Sequence, residues 1–229
     1  MRKKVVVLTG AGISAESGIS TFRDSDGLWE RHRVEDVATH EAYIRNPELV
    51  LNFYNERRAE LYKVNPNEAH RQLVRLESAY DVHIITQNID NLHERAGSTQ
   101  VLHLHGELGK ARSDRDDSLI IEIGNRDIHL GDKAPDGTQL RPHIVWFGES
   151  VPNIEPAIKL CEKADFFVVI GTSMNVYPAA GLIHYVPQGS PCYLVDPKAV
   201  TISRPINTFT EKASTGVKKV VDELLSLDL

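Results

Sequence analysis

The residues best suited to chemistry fall in short polar clusters, each directly after an apolar run. Gly10-Ala11-Gly12-Ile13-Ser14-Ala15 follows Val5-Val6-Val7-Leu8-Thr9 and matches a G-x-G-x-x-G/A pattern. Glycine at such a turn lets the chain bend tightly and lets backbone N–H groups approach an anionic group at the opening of a helix. Three more clusters stand at the ends of comparable runs: Gln87-Asn88-Ile89-Asp90, Gly171-Thr172-Ser173 and Asp196-Pro197-Lys198. Any one of them could be ordinary helix capping. Together they are better explained by an extended polar ligand, because open parallel sheets bind ligands beyond the carboxyl ends of their strands. His103 and His105 alternate along Val101-Leu102-His103-Leu104-His105, which predicts a strand with both histidines on one face. His105, next to Gly106, is placed to act as a general base near neutral pH.

The elements that must position these groups can be read around them. Val5-Val6-Val7-Leu8 is a continuous, mostly β-branched run, as in a strand buried on both faces of a parallel sheet. Similar runs recur at Val82-His83-Ile84-Ile85-Thr86, Phe166-Phe167-Val168-Val169-Ile170 and Cys192-Tyr193-Leu194-Val195. Helical patterns lie between them. One covers 47–62, with Asn46 as N-cap and Pro47 at the first helical position. A second covers 68–78 behind Asn67, with Ala69, Leu73 and Leu76 as its apolar stripe, and a terminal amphipathic helix covers 217–227. The alternation predicts an α/β fold: a Rossmann-like parallel sheet with helices on both faces. Two stretches break the rhythm. Residues 20–45 are polar and aromatic with short helical fragments, and residues 106–142 are charged and turn-rich. They predict a small inserted lobe on a single catalytic domain spanning 1–229. The large lobe then takes about 1–30, 80–105 and 143–229, and the small lobe about 31–79 and 106–142.

A dehydrogenase would pass from the glycine turn into a second strand ending in Asp or Glu about 20 residues on. Here Ser20-Thr21-Phe22-Arg23-Asp24-Ser25-Asp26-Gly27-Leu28-Trp29 intervenes, and Glu30 and Glu35 have no strand before them. Simple hydride transfer is disfavoured. A polar loop that could fold over a dinucleotide, with Arg23 near its phosphates, takes the strand's place.

Composition bounds the alternatives. The chain has 229 residues, 41% hydrophobic and 25% charged, enough to bury a core without disulfides or metal. A formal net charge of −6 argues against a general nucleic-acid binder. Two cysteines, Cys161 and Cys192, cannot supply a zinc site of four thiolates or a disulfide framework. The apolar run after Met1-Arg2-Lys3-Lys4 is too short for a signal peptide or a membrane span, so a cytoplasmic protein with no membrane partner is expected. Nothing in the sequence sets an oligomeric state.

In this order, Gly10-Ala11-Gly12-Ile13-Ser14, Thr21-Phe22-Arg23, Gln87-Asn88-Ile89-Asp90, His105-Gly106, Val145-Trp146-Phe147-Gly148-Glu149 and Gly171-Thr172-Ser173 resemble the motifs of the sirtuin family of NAD-dependent protein deacylases. The resemblance runs from Val5 to about residue 220. It implies NAD as co-substrate and acylated-lysine proteins as partners. By the same resemblance Gly10, Ala11, Gly12, Ser14, Ala15, Thr21, Arg23, Gly171, Thr172 and Ser173 line the NAD pocket, and Phe22 shields the reaction centre. Asn88 and Asp90 hold the nicotinamide end, with Gln87 and Ile89 beside them. Asp196, where the family commonly has Asn, approaches the adenosine ribose, and Ala213 the adenine. Val145, Phe147 and Gly148 pair with the substrate backbone as an added strand, with Glu149 and Val176 alongside. His105 is then the base that deprotonates a ribose hydroxyl once the acyl oxygen has displaced nicotinamide. An ADP-ribosyltransferase would use the same pocket, and an NAD sensor could dispense with His105. The histidine and the segment 145–148 together favour deacylation.

Leu51-Asn52-Phe53-Tyr54-Asn55-Glu56-Arg57-Arg58 resembles the segment of those sirtuins that accept acidic acyl groups. There Tyr54 and Arg57, one turn apart on one helix face, bind a carboxylate, implying succinyl or malonyl removal alongside acetyl. The chain departs from the family where most members carry two cysteine pairs for a structural zinc. Lys110-Ala111-Arg112-Ser113-Asp114 holds none, so a small lobe without zinc is expected.

Overall fold

The β-branched runs become the strands of one parallel sheet in the computed structural model, which describes residues 2–19, 32–198, 200–202 and 204–227. In chain order the elements are β1 (Lys4–Thr9), α1 (Val34–Val37), α2 (His40–Arg45), α3 (Pro47–Leu61), α4 (Glu68–Leu76), β2 (Asp81–Thr86), α5 (Leu92–Ala96) and β3 (Val101–His103). β4 (Gly106–Ser113), β5 (Ile120–Glu122), β6 (Leu140–Ile144), α6 (Ile154–Cys161), β7 (Phe166–Ile170), β8 (Cys192–Val195), β9 (Asn207–Phe209) and α7 (Ala213–Ser226) follow. The sheet order is β3-β2-β1-β7-β8-β9, every pair parallel. Strand β1 is therefore a switch point. Its chain neighbours in the sheet run outward in opposite directions, which opens a crevice at its carboxyl end.

The two-residue period of each strand sorts its side chains into two cores. Val5, Val7, Val82, Ile84, Val168, Ile170 and Val195 face α7 through Val217, Val220, Val221 and Leu224. Val6, Leu8, Ile85, Phe167, Val169 and Leu194 face α6 through Ala157 and Cys161. The stripe Ala69, Leu73 and Leu76 packs on the first of these faces, beside α7. Residues 68–76, which the sequence reading puts with the small lobe, thus cover the sheet instead. The reason is that its apolar stripe packs in one cluster with that of α7 and the strand residues of that face.

The stretch 106–142, which reads as charged turns, contains an antiparallel sheet ordered β5-β4-β6. Helix α3 lies against it, with Phe53, Tyr54 and Leu61 joining Leu108, Ala111, Leu140, Ile144 and Trp146 in a third core. The turns of this sheet are tied by one hydroxyl. Ser113 Oγ accepts the N–H groups of Arg115 and Asp116, both at 3.0 Å, and donates to Asp136 at 2.6 Å, with Thr138 Oγ1 at 2.8 Å. Asp136 in turn accepts the N–H and hydroxyl of Thr138. No helix among the described residues is long and apolar enough to cross a membrane.

Candidate active site

The carboxyl ends of β1, β2, β7 and β8 open into a cleft of about 730 Å³ that runs on to the small lobe. It is lined by Gly10, Ala11, Gly12, Ser14, Ala15, Gln87, Asn88, Ile89, Asp90 and His105 on one side of its length. Gly171, Thr172, Ser173, Asp196 and Ala213 continue it over β7 and β8, and Tyr54, Arg57, Val145, Phe147, Gly148, Glu149 and Val176 line it towards the small lobe. Thr21, Phe22 and Arg23 lie outside the described residues.

The glycine turn differs from the expected strand-to-helix junction. Two three-residue 3-10 turns, Ala11–Ile13 and Ala15–Ser17, follow β1 instead of a regular helix. The N–H groups of Gly10, Gly12, Ile13 and Ser14 are taken by Ile170, Gly171, Gly10 and Ala11 carbonyls. A helix macrodipole is therefore not the device that receives an anion here. What the glycines permit is contact between two loops. A Cβ on Gly12 would lie 2.6 Å from Gly171 Cα, and one on Gly171, whose φ is +61°, would lie 2.5 Å from Ile13 N. The turn is braced by Asn67, which caps α4 and donates from its amide to Ile13 O (2.7 Å) and Ser17 Oγ (3.0 Å). It is braced again by Glu16, whose carboxylate accepts both the N–H and the hydroxyl of Ser214 at 2.8 Å, capping the first turn of α7.

On the β2 side the polar groups converge. Ser14 Oγ donates to Asp90 Oδ2 (2.9 Å), and Asn88 Nδ2 reaches Gly10 O (3.2 Å) and Ser14 Oγ (3.3 Å). Burial pushes the Asp90 carboxyl up, against the pull of the Leu92 N–H and Ser14. The predicted strand holding both histidines ends at His103, two residues short of His105. Past the strand end, the two rings serve successive carbonyls of the loop. His103 Nδ1 donates to Asn88 O (3.1 Å), its Nε2 meeting Glu94 at 2.8 Å, and His105 Nδ1 donates to Gln87 O (2.9 Å). A carbonyl can only accept, so the His105 proton is fixed on Nδ1 and Nε2 is left as the basic nitrogen of the neutral ring. Burial lowers the His105 pKa, and the Gln87 carbonyl opposes that only in part. Such a ring is neutral at pH 7 and able to take a proton.

The segment expected to pair with substrate, 145–148, is itself anchored within the chain. The Val145 N–H is bonded to His105 O and the Phe147 N–H to Ala38 O, both at 3.0 Å. Phe147 also forms a parallel bridge with Thr39, so its backbone is paired within the chain, with Gly148 beyond it. Glu149, expected to contact substrate, gives its carboxylate to the protein. It accepts two bonds from the buried Arg141 (2.8 and 3.2 Å) and one from the Trp146 N–H (2.8 Å), with Arg112 at 3.5 Å. The Arg141 guanidinium lies 3.5 Å from the Trp146 ring centroid. Neither Glu16 nor Arg141 stands out in the sequence, because their partners lie outside their own motifs.

Tyr54 and Arg57 project into the cleft from one face of α3, and burial lowers the Arg57 pKa and raises that of Tyr54 to about 12. The adjacent Arg58 turns the other way and is fully buried, donating to Leu108 O (2.6 Å) and Asn55 Oδ1 (2.8 Å). The pair is therefore not a solvated charged run.

An amide–carboxyl cluster at one end of the cleft and a carboxylate at the other suit an elongated polar ligand. The model of the Sir2 family matches residues 10–178. A protein of Bacteroides thetaiotaomicron called NAD-dependent protein deacylase is 57% identical, over 97% of this chain and 98% of its own. A solved complex of a mutant Sir2 homologue with ADP-ribose superposes with a TM-score of 0.89 at 38% identity, covering 100% of this chain and 95% of the other. A Sir2 homologue solved with NAD gives 0.88 at 37%, covering 100% and 91%. On the strength of that family match and that identity, the chain belongs to the Sir2 family.

Proposed function

We propose that this chain removes acyl groups from protein lysines at the expense of NAD, releasing nicotinamide and O-acyl-ADP-ribose. The observation that carries the reading is the juxtaposition in one cleft of the glycine turn, a half-buried neutral His105 with Nε2 as its basic atom, and the segment 145–148. NAD supplies the electrophilic ribose carbon when bound. The chain's own residues do the rest. Ser14, Asn88 and Asp90 form a nearly dry polar end suited to a carboxamide, His105 Nε2 accepts a hydroxyl proton, and Trp146 and Phe147 wall the acyl-lysine from water.

The finer reading is that acidic acyl groups are accepted. Tyr54 and Arg57 on one face of the cleft support it, since a guanidinium in a partly buried wall meets a carboxylate with paired, charge-assisted bonds. We also read the small lobe as holding together without zinc. Ser113 ties its turns by hydrogen bonds, and both cysteines lie elsewhere, in the core of the large sheet.

The test is to incubate the protein with NAD and paired acetyl-lysine and succinyl-lysine peptides, following deacylated peptide and nicotinamide by mass spectrometry. His105→Ala is expected to abolish both products, and Arg57→Met to remove succinyl turnover while sparing acetyl. Neither product from the wild type would end the deacylase reading in favour of a binding role. ADP-ribose appearing on the peptide would move it to ADP-ribosyl transfer.

A further inference from the structure

Of the two histidines that alternate near the end of β3, the reaction proposed above uses only His105. His103 is the last residue of β3, is 7% exposed and does not line the cleft. Both its ring nitrogens face acceptors: Nδ1 lies 3.1 Å from Asn88 O, and Nε2 lies 2.8 Å from Glu94 Oε1. A carbonyl cannot donate, so Nδ1 carries a proton. The single proton between Nε2 and Glu94 belongs to the imidazole, which is about 100-fold more basic than a carboxylate. His103 is therefore an imidazolium, whereas His105, two residues on, is a neutral ring, and each donates to one of two successive carbonyls. Burial would lower the His103 pKa, but the Glu94 bond and charge, with Glu107 and the Asn88 carbonyl, outweigh it and raise it. The other groups facing this charge do not cancel it. Asp90 is drawn towards ionisation by it, against the burial that pushes that carboxyl up, and burial holds His93 well below the usual histidine range, with His70 and His103 adding to the effect.

We infer that Glu94 and His103 are positioning residues, a charged pair that clamps Asn88 from behind and so fixes its amide at the reacting end of the cleft. The inference rests on the deacylase reading for what that amide does, and on the geometry alone for the clamp. The Asn88 backbone is held at both polar atoms, its N–H donating to Thr86 Oγ1 (3.0 Å) and its carbonyl accepting from His103. With the backbone fixed, the side chain has one direction, its Nδ2 towards Gly10 O (3.2 Å) and Ser14 Oγ (3.3 Å). The clamp joins three elements: Glu94 on α5, His103 on the edge strand β3, and Asn88 in the loop after β2. Its base is steadied by Asn153, whose amide donates to His103 O at 2.7 Å. A hydrogen bond from a charged donor is roughly twice as strong as a neutral one. A His103 ring reduced to its neutral form therefore holds Asn88 less firmly even where the contact survives.

Nitrogen NMR of the histidine rings, with steady-state kinetics on the same proteins, tests this. At about pH 7 the wild-type His103 is expected to show two protonated nitrogens and His105 one. Glu94 is the variant of choice, because its side chain is 39% exposed and its replacement leaves the core intact. Glu94→Gln is expected to leave His103 neutral at the same pH and to move the Asn88 side-chain amide signals. It should also lower kcat about 10- to 100-fold while the peptide KM stays within about twofold. His103→Gln, which keeps an N–H for Asn88 O, is expected to retain more of kcat than His103→Ala. The inference is overturned if the wild-type His103 is neutral at that pH, or if folded Glu94→Gln and His103→Ala both keep the wild-type kcat. In a protein without deacylase turnover the signals still decide. Asn88 amide signals that move when Glu94→Gln discharges His103 would support the clamp and refute only the catalytic reading, whereas unmoved signals would refute the clamp itself.

Discussion

Glu149 gathers the charges that hold the loop 145–149, so its removal has a calculable effect. Glu149→Gln keeps the shape and one oxygen but withdraws the charge shared by Arg141 and Arg112, whose side chains are 4% and 6% exposed. Removing one partner of a buried ion pair costs about 3–5 kcal/mol. The Glu149 side chain retains 21% exposure, which lowers the expected loss to about 2–4 kcal/mol. Urea unfolding should report it, and a cycle with Arg141→Met should show coupling of about 1 kcal/mol or more. The same carboxylate fixes the Trp146 N–H between Val145 and Phe147, so the peptide KM should rise while the KM for NAD stays near the wild type. Burial would raise the Glu149 pKa, but the Arg141 bonds, the Trp146 N–H and Arg112 outweigh it and hold the group low. Its stabilisation is therefore complete above the unfolded value near about 4.3 and is lost as pH falls through the lower folded value. A loss below about 1 kcal/mol with an unchanged peptide KM would refute the reasoning.

The half-buried His105 should give kcat/KM a flat profile above about pH 6.5 and an acid limb below it, because the lowered pKa must be passed before the base is lost. An acid limb centred above pH 7 would contradict this assignment. His70, pushed down to about 4 by burial and then by Arg71, stays neutral while an unfolded histidine protonates. Stability should thus fall by up to about 3 kcal/mol as pH drops from about 6.5 to 4, and His70→Gln should flatten that slope in chemical denaturation. Ser113→Ala leaves the Arg115 and Asp116 N–H groups and Asp136 short of a partner. A loss of about 1–3 kcal/mol is expected, whereas a chelator should leave the wild-type Tm unchanged. Gly171→Ala sets a Cβ against the Gly12–Ile13 backbone at positive φ, and should cost about 2 kcal/mol or more and weaken ADP-ribose binding in calorimetry.

What could be read in advance followed from periodicity. Val5 to Leu8 and Phe166 to Ile170 are apolar on both faces because both faces are covered, and that pattern is local. The strands of 106–142 are hidden because β5 is only three residues long with Ile120 46% exposed, while β4 is rich in glycine and charge and its register with β6 shifts between Gly106 and Ala111. Apart from Thr21, Phe22 and Arg23, which lie outside the described residues, the residues singled out in the motifs line one cleft. Those that hold the motifs in place are different in kind. Glu16 finds Ser214 across 198 residues, a pairing that no local spacing announces. Arg57 and Arg58 are chemically identical neighbours, and only the 100° helical turn between them decides that one faces the cleft and the other the core.

The sheet order also says something about how the chain must be made. Strand β1 precedes both of its sheet neighbours in the chain, residues 81–86 and 166–170. At ordinary synthesis rates of about 5–20 residues per second, that apolar segment waits on the order of 10–30 s for its second partner. Until then it has an open edge and nothing on one side to pair with, which is the condition under which strands pair with other chains. A fold whose cleft opens at a switch point thus leaves its central strand to be shielded by other means during synthesis.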